Sequence, residues 1–325
     1  MTFKHGDSVN QPFFVKAVQV RTYKNSEQRK YVELVMFAQS GESFPGRIWD
    51  WQEKIKTYER EIQQGDVIHI TGEASEYQKQ IQIRVDHLEW RDEDKSTWVD
   101  QFLPRPKQSA DRLKQRLWGM VSTMEHPILR ALAEAVLSDR EISERLYSYP
   151  AAKTNHHATL HGLLHHIVSM MECANKVQQQ YPFLNRDLLL AGVLYHDLGK
   201  IGELTHLRDG GDYTLEGKLH GHIHFSATLL QRFGQQQGVV KTEAFKLLQH
   251  MVLSHHGKLE WGSPVTPKIP EAVVLHMIDK LDAMMFCMFS EMQSLQPGEW
   301  VKRTKSLEND MLKHSLLNET EDYFN

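Results

Sequence analysis

The sequence predicts a two-domain chain in which a small all-β barrel precedes an all-α helical bundle. Its 325 residues are about twice the length of an average domain. Apolar residues follow a strand pattern up to about residue 90 and a helical pattern from residue 110 onward. In addition, 13 of the 19 histidines lie between His156 and His256, in the helical part. Because imidazole is the commonest metal ligand, we expect a metal site in the second domain.

Composition limits the class of protein. Hydrophobic residues make up 40% and charged residues 25% of the chain, with a net charge of −4, as in a folded globular protein. The longest apolar run, Leu188 to Leu194, is far shorter than the ~20 residues that span a bilayer, and the N-terminus lacks the apolar segment of a signal peptide. Cys173 and Cys287 are too few for a disulfide framework. We therefore expect a cytoplasmic protein.

The first 90 residues predict a β-barrel domain. Five short segments are rich in β-branched and aromatic residues and are separated by turn formers: Phe13–Val20, Tyr31–Ala38, Phe44–Trp49, Val67–Gly72 and Gln80–Leu88. Between the third and fourth lies Asp50–Gln64, whose apolar spacings of four, three and four predict an amphipathic helix, with Asp50 as its cap and Glu53 at the reciprocal position. This element order is that of an OB-fold, which predicts a nucleic-acid-binding domain over residues 1–92.

A linker and a helical bundle follow the barrel. Residues 93–109 are charged and contain two prolines, so we interpret them as a linker. Seven later segments carry apolar stripes at helical spacing: Ala110–Met124, His126–Ser138, Leu160–Tyr181, Arg186–Lys200, Ile223–Gln236, Thr242–His255 and Glu271–Gln293. The helical domain is expected to span residues 110–300. The remaining residues, 301–325, form a polar C-terminal tail, for which we expect a loosely attached helix.

The sharpest motif is an apolar helix that ends in adjacent His196 and Asp197. Burying these two groups is costly unless they are paired or bind a cation, although an isolated pair is equally well explained as a helix cap. Further histidines and an aspartate occur one or two per helix, and helices of a bundle can direct such side chains to one point. The set offers no thiolate, which favours Mn, Fe, Mg, Co, Ni or Zn in a hydrolytic role over structural zinc. In chain order it is His166, His196, Asp197, His222, His255 with His256, and Asp279.

With this ordered set, residues 150–290 resemble the HD-domain metal-dependent phosphohydrolase superfamily. The resemblance implies an all-α HD-domain bundle with two divalent ions, among which we favour Mn²⁺, and with Asp197 as the bridging ligand. Whether His255 or its neighbour His256 binds directly is open, and we favour His255. The implied ligands are His166, His196, Asp197, His222, His255 and Asp279.

Catalytic roles follow from the same resemblance. His196 and Asp197 are expected to take part in catalysis through the metal ions. Lys200 is a candidate to hold a phosphate oxygen as a point charge, although a cation at a helix end is an equally good interpretation.

Over residues 10–300 the chain resembles the YhaM-type 3′→5′ exoribonucleases, through the barrel strand Gly46–Asp50 and the motif His250–Pro264. This likeness implies stepwise two-metal hydrolysis of single-stranded RNA to 5′-mononucleotides, with single-stranded DNA as a further substrate. His165 departs from the pattern, because an acidic residue is expected beside the first ligand. The metal preference is therefore open.

Candidate RNA contacts lie in the barrel and the linker. Trp49 and Tyr77 are expected to stack on bases, whereas Phe44 is better explained as barrel core. Arg105 and Lys107 belong to a local cluster of cations that a strand could follow.

Three alternatives stay open at this point. The first is a phosphohydrolase acting on free or cyclic nucleotides, with a regulatory barrel. The second is an iron-dependent oxygenase that uses the same ligands, and the third is a non-catalytic nucleic-acid-binding module. Six ligands in order argue against the third, and the fused barrel argues against the second. Homo-oligomerisation, which would provide a route to a positively charged substrate channel, is also open.

Overall fold

The computed structural model describes residues 3–23, 26–58, 60–77, 80–91, 99–154, 156–293, 295–303, 307, 309–318 and 320. Contacts divide the chain into two compact units. Unit 1 comprises Met1–Arg105 together with His206–Asp212, and unit 2 comprises Pro106–Thr205 together with Tyr213–Asn325.

Unit 1 is a closed five-stranded barrel. Its strands are β1 (Ser8–Tyr23), β2 (Ser26–Phe37), β3 (Ser43–Ile48), β4 (Val67–Tyr77) and β5 (Gln80–Trp90). They pair in the order β1-β2-β3-β5-β4, and β1 closes the barrel on β4. Every pairing is antiparallel except that of β3 with β5. This connectivity is that of an OB-fold, so the predicted barrel is confirmed.

A bulge explains how β5 keeps its apolar residues inside. Ile83 and Val85 are buried at odd positions, whereas Leu88 is buried at an even one. The register against β4 passes from Val85 directly to His87, so Asp86 is the extra residue of a bulge. Because one added residue reverses the inside–outside alternation, Leu88 returns to the core. Phe44 is also core, as expected, with its ring 5.2 Å from that of Phe3.

The predicted helix over residues 50–64 is mostly wrong. Only Trp51–Lys54 (α1) and a 3₁₀ turn, Ile55–Thr57, are helical. Asp50 does not cap α1 with its side chain, because its carboxylate accepts a hydrogen bond from Arg29 at 2.5 Å. Beyond the turn, the buried Asp66 carboxylate accepts the Gln63 N–H at 2.8 Å and holds the chain as a loop. Tertiary hydrogen bonds therefore replace the helical ones.

Unit 2 is an all-α bundle, as predicted. Its helices are α2 (Ala110–Ser122), α3 (Pro127–Ser138), α4 (Arg140–Ser148), α5 (Gly162–Gln180), α6 (Arg186–His196), α7 (Lys200–Glu203), α8 (Leu215–Gln236), α9 (Glu243–Ser254) and α10 (Pro270–Met292). Side chains of Ser109, Asn185, Thr214 and Thr242 accept hydrogen bonds at the starts of α2, α6, α8 and α9. Among the described residues, no helix is long and apolar enough to cross a membrane.

Helix α6 is the centre of the bundle. Every residue from Asp187 to His196 is buried, and the helix packs against α3, α5, α9 and α10. This explains why the run Leu188 to Leu194 is apolar on all sides rather than on one stripe. The C-terminal end of α6 is consequently deep inside the unit.

The C-terminal tail differs from the expected helix. Trp300–Val301 (β6) pairs antiparallel with Met311–Leu312 (β7). Next to this strand pair, the Asp310 carboxylate accepts the backbone N–H of Arg303 at 2.7 Å and pairs with Lys302. No helix occurs among the residues described after Gln293, so the prediction is wrong for that part of the tail, and residues 304–306, 308, 319 and 321–325 lie outside the described residues.

Candidate metal centre

The centre is built around the turn that follows α6. His196 is the last residue of α6 and is fully buried, and Asp197 is 3% exposed. Gly199 then passes very close to α8. Its N–H donates to Ser226 Oγ at 2.8 Å, and a Cβ at this position would lie 2.1 Å from the carbonyl oxygen of His222. Only glycine fits here, and its presence brings α8 and His222 up to Asp197.

One group of side chains faces the Oδ2 atom of Asp197. The Nε2 atoms of His166 and His196 lie 3.6 and 3.5 Å from this oxygen. Asp279 Oδ1 is 3.4 Å from His166 Nε2 and 3.9 Å from His196 Nε2. Three helices, α5, α6 and α10, therefore bring these predicted residues together at one point.

A second group faces the other oxygen of the same carboxylate. His222 Nε2 lies 3.3 Å and His255 Nε2 lies 3.7 Å from Asp197 Oδ1. His256 is adjacent, and one ring nitrogen from each of the three histidines falls within 4.8 Å of the others. The two oxygens of Asp197 thus separate two clusters of imidazoles, which is the arrangement expected around a bridging carboxylate.

The ring nitrogens show what these clusters can bind. In each of four histidines, Nδ1 donates to a fixed acceptor and Nε2 is buried with no hydrogen-bond partner among the described residues. The acceptors are Asp282 Oδ2 for His166, Val193 O for His196, Glu203 Oε1 for His222 and Val252 O for His255, at 2.7–3.1 Å. In a neutral ring, each bond places the lone pair on Nε2. Burying four nitrogen acceptors without a partner costs free energy of folding, and divalent cations are suitable partners for them.

Charge at the centre is dominated by Asp197 and Lys200. Lys200 Nζ lies 2.7 Å from Asp197 Oδ2. Burial favours the neutral form of both groups, but their mutual attraction outweighs it, so the pKa of Lys200 is raised and that of Asp197 is held well below its usual range. The pair is therefore ionised at neutral pH, and Lys200 is a fixed positive charge beside the predicted ligands.

Asp282 is a residue that sequence reasoning did not assign to the site. It lies one turn after Asp279, and its Oδ2 accepts hydrogen bonds from His166 Nδ1 at 2.8 Å and from His157 Nε2 at 2.9 Å. The Ser169 hydroxyl donates to its other oxygen. The signal in the sequence was its spacing of three residues from Asp279, which places both carboxylates on one face of the helix. Asp282 therefore orients a predicted ligand from behind.

The unexpected histidine beside the first ligand has a place in the same network. The Nδ1 atoms of His165 and His157 lie 3.1 Å apart. Burial lowers the pKa of His165 to about 2 and that of His157 to about 4, so both rings are neutral at pH 7. His165 thus packs behind the cluster, on the far side of His157 from Asp282.

A cavity of about 550 Å³ leads to the centre. Asp197, Asp279 and Lys200 line it, together with Trp261, His276 and Lys280. A small anionic ligand that enters this cavity meets the predicted metal ligands and a lysine. Such a size is typical of small-molecule sites.

The barrel carries an aromatic cluster that includes both predicted stacking residues. The Trp49 ring lies 5.1 Å from that of Tyr31 and 5.7 Å from that of Tyr23. The Arg47 guanidinium lies 5.6 Å from the Trp49 ring and 5.4 Å from the Tyr77 ring, which joins the two. Tyr77 is 52% exposed. Strand alternation offered no sharp signal for Tyr23, Tyr31 or Arg47.

The linker cations stay predictions. Arg105 belongs to unit 1 and donates to the backbone carbonyl of Asp100. Lys107 belongs to unit 2. Neither position identifies a nucleic-acid contact.

The fold and the site define an HD-domain protein, and comparison with known proteins supports this class. The HD domain family model matches residues 163–284. The 3′-5′ exoribonuclease YhaM of Geobacillus sp. (strain WCH70) is 33% identical over 94% of this chain and 92% of its own length. The protein of the same name from Bacillus subtilis (strain 168) is 32% identical over 95% of both chains. That from Oceanobacillus iheyensis is 34% identical over 87% of both.

The chain therefore belongs to the YhaM family of 3′-5′ exoribonucleases, and the predicted family and enzyme class are confirmed. Among solved structures, the second OB-fold domain of replication protein A from Methanococcus maripaludis aligns with 29% of this chain and 98% of its own. That alignment has a TM-score of 0.22 and 18% identity. The HD domain implies dependence on divalent metal.

Proposed function

We propose that this chain is a metal-dependent 3′→5′ exoribonuclease that removes 5′-mononucleotides from single-stranded RNA at a two-metal site. The observation that carries the proposal is the pair of imidazole clusters on opposite oxygens of Asp197. The names of its relatives support the substrate and the polarity of digestion. Single-stranded DNA is included as a further substrate, and Mn²⁺ is the favoured metal.

Each cluster is proposed to hold one cation. His166, His196 and Asp279 would hold the first together with Asp197 Oδ2. His222 and His255 would hold the second together with Asp197 Oδ1. His255 is preferred over His256 because it is fully buried and its Nε2 lies 3.7 Å from Asp197 Oδ1, whereas His256 is half-buried.

The cations, Asp197 and Lys200 are proposed to have separate roles in phosphodiester hydrolysis. Divalent cations supply charge neutralisation at the phosphate and lower the pKa of an attacking water. Asp197 would serve both cations, one through each of its carboxylate oxygens. Lys200 is protonated and lines the cavity, so it is suited to bind a phosphate oxygen and unsuited to act as a general base.

The barrel is proposed to hold the RNA away from the cleaved bond. Trp49 and Tyr77 offer aromatic faces to unstacked bases, and Arg47 between them adds a cation. Arg105 and Lys107 are proposed to contact phosphates. None of these contacts reads the 2′-hydroxyl, which is why single-stranded DNA is expected to bind as well. A cytoplasmic location and homo-oligomerisation stay predictions.

The test uses the full-length chain with Mn²⁺ and 5′-labelled single-stranded RNA, with matching DNA and with free and cyclic nucleotides. We expect RNA to shorten stepwise from its 3′ end and to release 5′-mononucleotides. Asp197→Ala should abolish hydrolysis and lower the bound metal, whereas His224→Ala, an exposed histidine of α8, should change neither. Hydrolysis of cyclic or free nucleotides with intact RNA would identify a nucleotide phosphohydrolase instead.

A further inference from the structure

We propose that Trp261 is the platform on which the base of the 3′-terminal nucleotide stacks, so that the terminal phosphodiester is presented to Asp197 and Asp279. This inference rests on the proposed function and assigns a base subsite within its cavity. The residue lies in the motif His250–Pro264, of which only His255 is assigned to the metal centre.

The cavity is lined by two kinds of side chain. Asp197, Asp279 and Lys200 are charged and suit a phosphate with its cations, whereas Trp261 is aromatic and suits a base. A volume of about 550 Å³ is within the range of sites for nucleotide-sized ligands. A nucleotide likewise combines a charged phosphate with a flat aromatic base.

Trp261 is held in place by backbone contacts rather than by burial of its ring. It ends the 3₁₀ turn Leu259–Trp261, and its carbonyl accepts the Nδ1–H of His256 at 2.8 Å. Its ring centroid lies 5.8 Å from that of His276, whose Nδ1 donates to the carbonyl of His255 at 2.9 Å. The turn is therefore tied to the residues beside the second cluster, which fixes the indole relative to the metal centre.

The indole is nevertheless 43% exposed. A large aromatic side chain gains most from burial, and tryptophan is usually well covered. A rigidly placed and exposed indole on a cavity wall offers a face that a base would cover. Stacking accepts all four bases, because each has a π-face, so the subsite would not restrict the sequence that is digested.

Two lysines lie beside the ring. Lys258 Nζ is 4.5 Å and Lys280 Nζ is 5.6 Å from the Trp261 centroid. Both side chains are exposed, and Lys258 Nζ also lies 3.6 Å from Glu260 Oε1. The two lysines place positive charge beside the indole, where the phosphates of a bound strand would pass.

The test compares two probes that differ only in the base, 5′-AMP and ribose 5-phosphate. Their binding to the full-length chain with Mn²⁺ is measured by calorimetry. We expect 5′-AMP to bind about 5- to 150-fold more tightly than ribose 5-phosphate, as one stacked base requires. Trp261→Ala should remove this preference without changing the affinity for ribose 5-phosphate, whereas Trp261→Phe should retain most of it. Trp300→Ala, at an exposed tryptophan in β6, is the matched control.

A kinetic arm uses RNA whose 3′-terminal nucleotide is abasic. Trp261→Ala should raise KM on normal RNA and leave KM on abasic RNA unchanged. Two results would overturn the proposal. If Trp261→Ala raised KM equally on normal and on abasic RNA, Trp261 would only support the fold of the turn. If Trp261→Ala kept the preference for 5′-AMP over ribose 5-phosphate, the base would not stack on this residue. Failure of the proposed function would give a different result. The wild-type chain would then not shorten RNA from its 3′ end, whatever the ratio of its affinities for 5′-AMP and ribose 5-phosphate.

Discussion

Glu203 holds His222 through two hydrogen bonds to one carboxylate oxygen. Its Oε1 accepts the backbone N–H of His222 at 3.0 Å and the Nδ1–H at 3.1 Å. The backbone N–H is available because α8 is interrupted at Gly221, whose φ of 70° and ψ of 161° are not helical. Only glycine adopts such angles without strain. The kink and the carboxylate together aim Nε2 of His222 at Asp197.

The first prediction concerns this carboxylate. Glu203→Ala should weaken the proposed metal site at His222 and His255 by about 10- to 100-fold, because groups that orient ligating histidines have effects of that size. Glu203→Gln retains an acceptor oxygen and should lower the metal affinity much less. Metal titration followed by elemental analysis checks both variants, with Glu216→Ala, at an exposed residue of α8, as the control. Two sites of unchanged affinity in Glu203→Ala would show that Glu203 does not position His222.

The second prediction concerns the close approach at Gly199. An added Cβ would lie 2.1 Å from the carbonyl oxygen of His222 and 2.5 Å from the backbone nitrogen of Ser226, so Gly199→Ala must move α8 away from Asp197. We expect a loss of metal binding together with destabilisation by several kcal/mol, as for overpacking against backbone. Thermal unfolding and metal content check this.

Gly119→Ala is the matched control for that substitution. Gly119 lies within α2, and a Cβ added at this position would have no described atom within 4 Å outside the backbone of its own helix and its chain neighbours. Alanine is favoured over glycine inside a helix by about 1 kcal/mol, so this variant should be slightly more stable than the wild type. If both variants behaved alike, packing at Gly199 would not be what brings His222 to the centre.

The third prediction is a pH dependence of metal binding. Burial favours the neutral form of His166, but its hydrogen bond to Asp282 and its attraction to the Asp279 and Asp282 carboxylates outweigh burial and raise the pKa of His166 to about 10 when no metal is bound. The ring is therefore protonated at neutral pH, whereas a ligand must be neutral. Metal binding must displace this proton, so affinity should rise about tenfold per pH unit below pH 10.

Calorimetry in buffers of different ionisation enthalpy measures the protons released. We expect about one proton from His166 on metal binding near neutral pH. Asp282→Asn removes one of the two carboxylates and should lower both the pKa of His166 and the number of protons released. Metal binding that releases no proton, with an affinity independent of pH, would contradict the protonated state of His166.

The residues that meet around Asp197 could be predicted because each of them lies in a strong local context. The apolar run before His196 ensures a buried helix end, and histidines on other helices follow in a fixed order. The pair of Glu203 and His222 could not be predicted, since 19 residues and a kink separate its members. A sequence pattern indicates which face of a helix is apolar. It does not indicate which residue of another helix will form a hydrogen bond with a buried polar group.

The elements that sequence reasoning missed bury little apolar surface. Helix α4 covers only Ile142, Ser143 and Leu146, so it has no long stripe. The first turns of α8 leave Leu215 and Leu219 about 70% exposed, which breaks the expected pattern. The predicted helix after β3 failed for the opposite reason, because buried polar contacts of Asp66 override a good amphipathic stripe.

The fourth prediction concerns the aromatic cluster of the barrel. Tyr77→Ala should weaken binding of single-stranded RNA by about 5- to 150-fold, because one base would lose its stacking partner. Tyr181→Ala is the matched control, since both tyrosines are 52% exposed and Tyr181 lies at the end of α5. Equilibrium binding to a labelled oligonucleotide without metal separates this effect from hydrolysis. Arg47→Ala should also weaken binding and reduce its salt dependence, because a cation near the strand contributes to counterion release. If Tyr77→Ala and Tyr181→Ala bound RNA equally well, the barrel cluster would not be a stacking surface, and the barrel would be better explained as a regulatory or assembly domain.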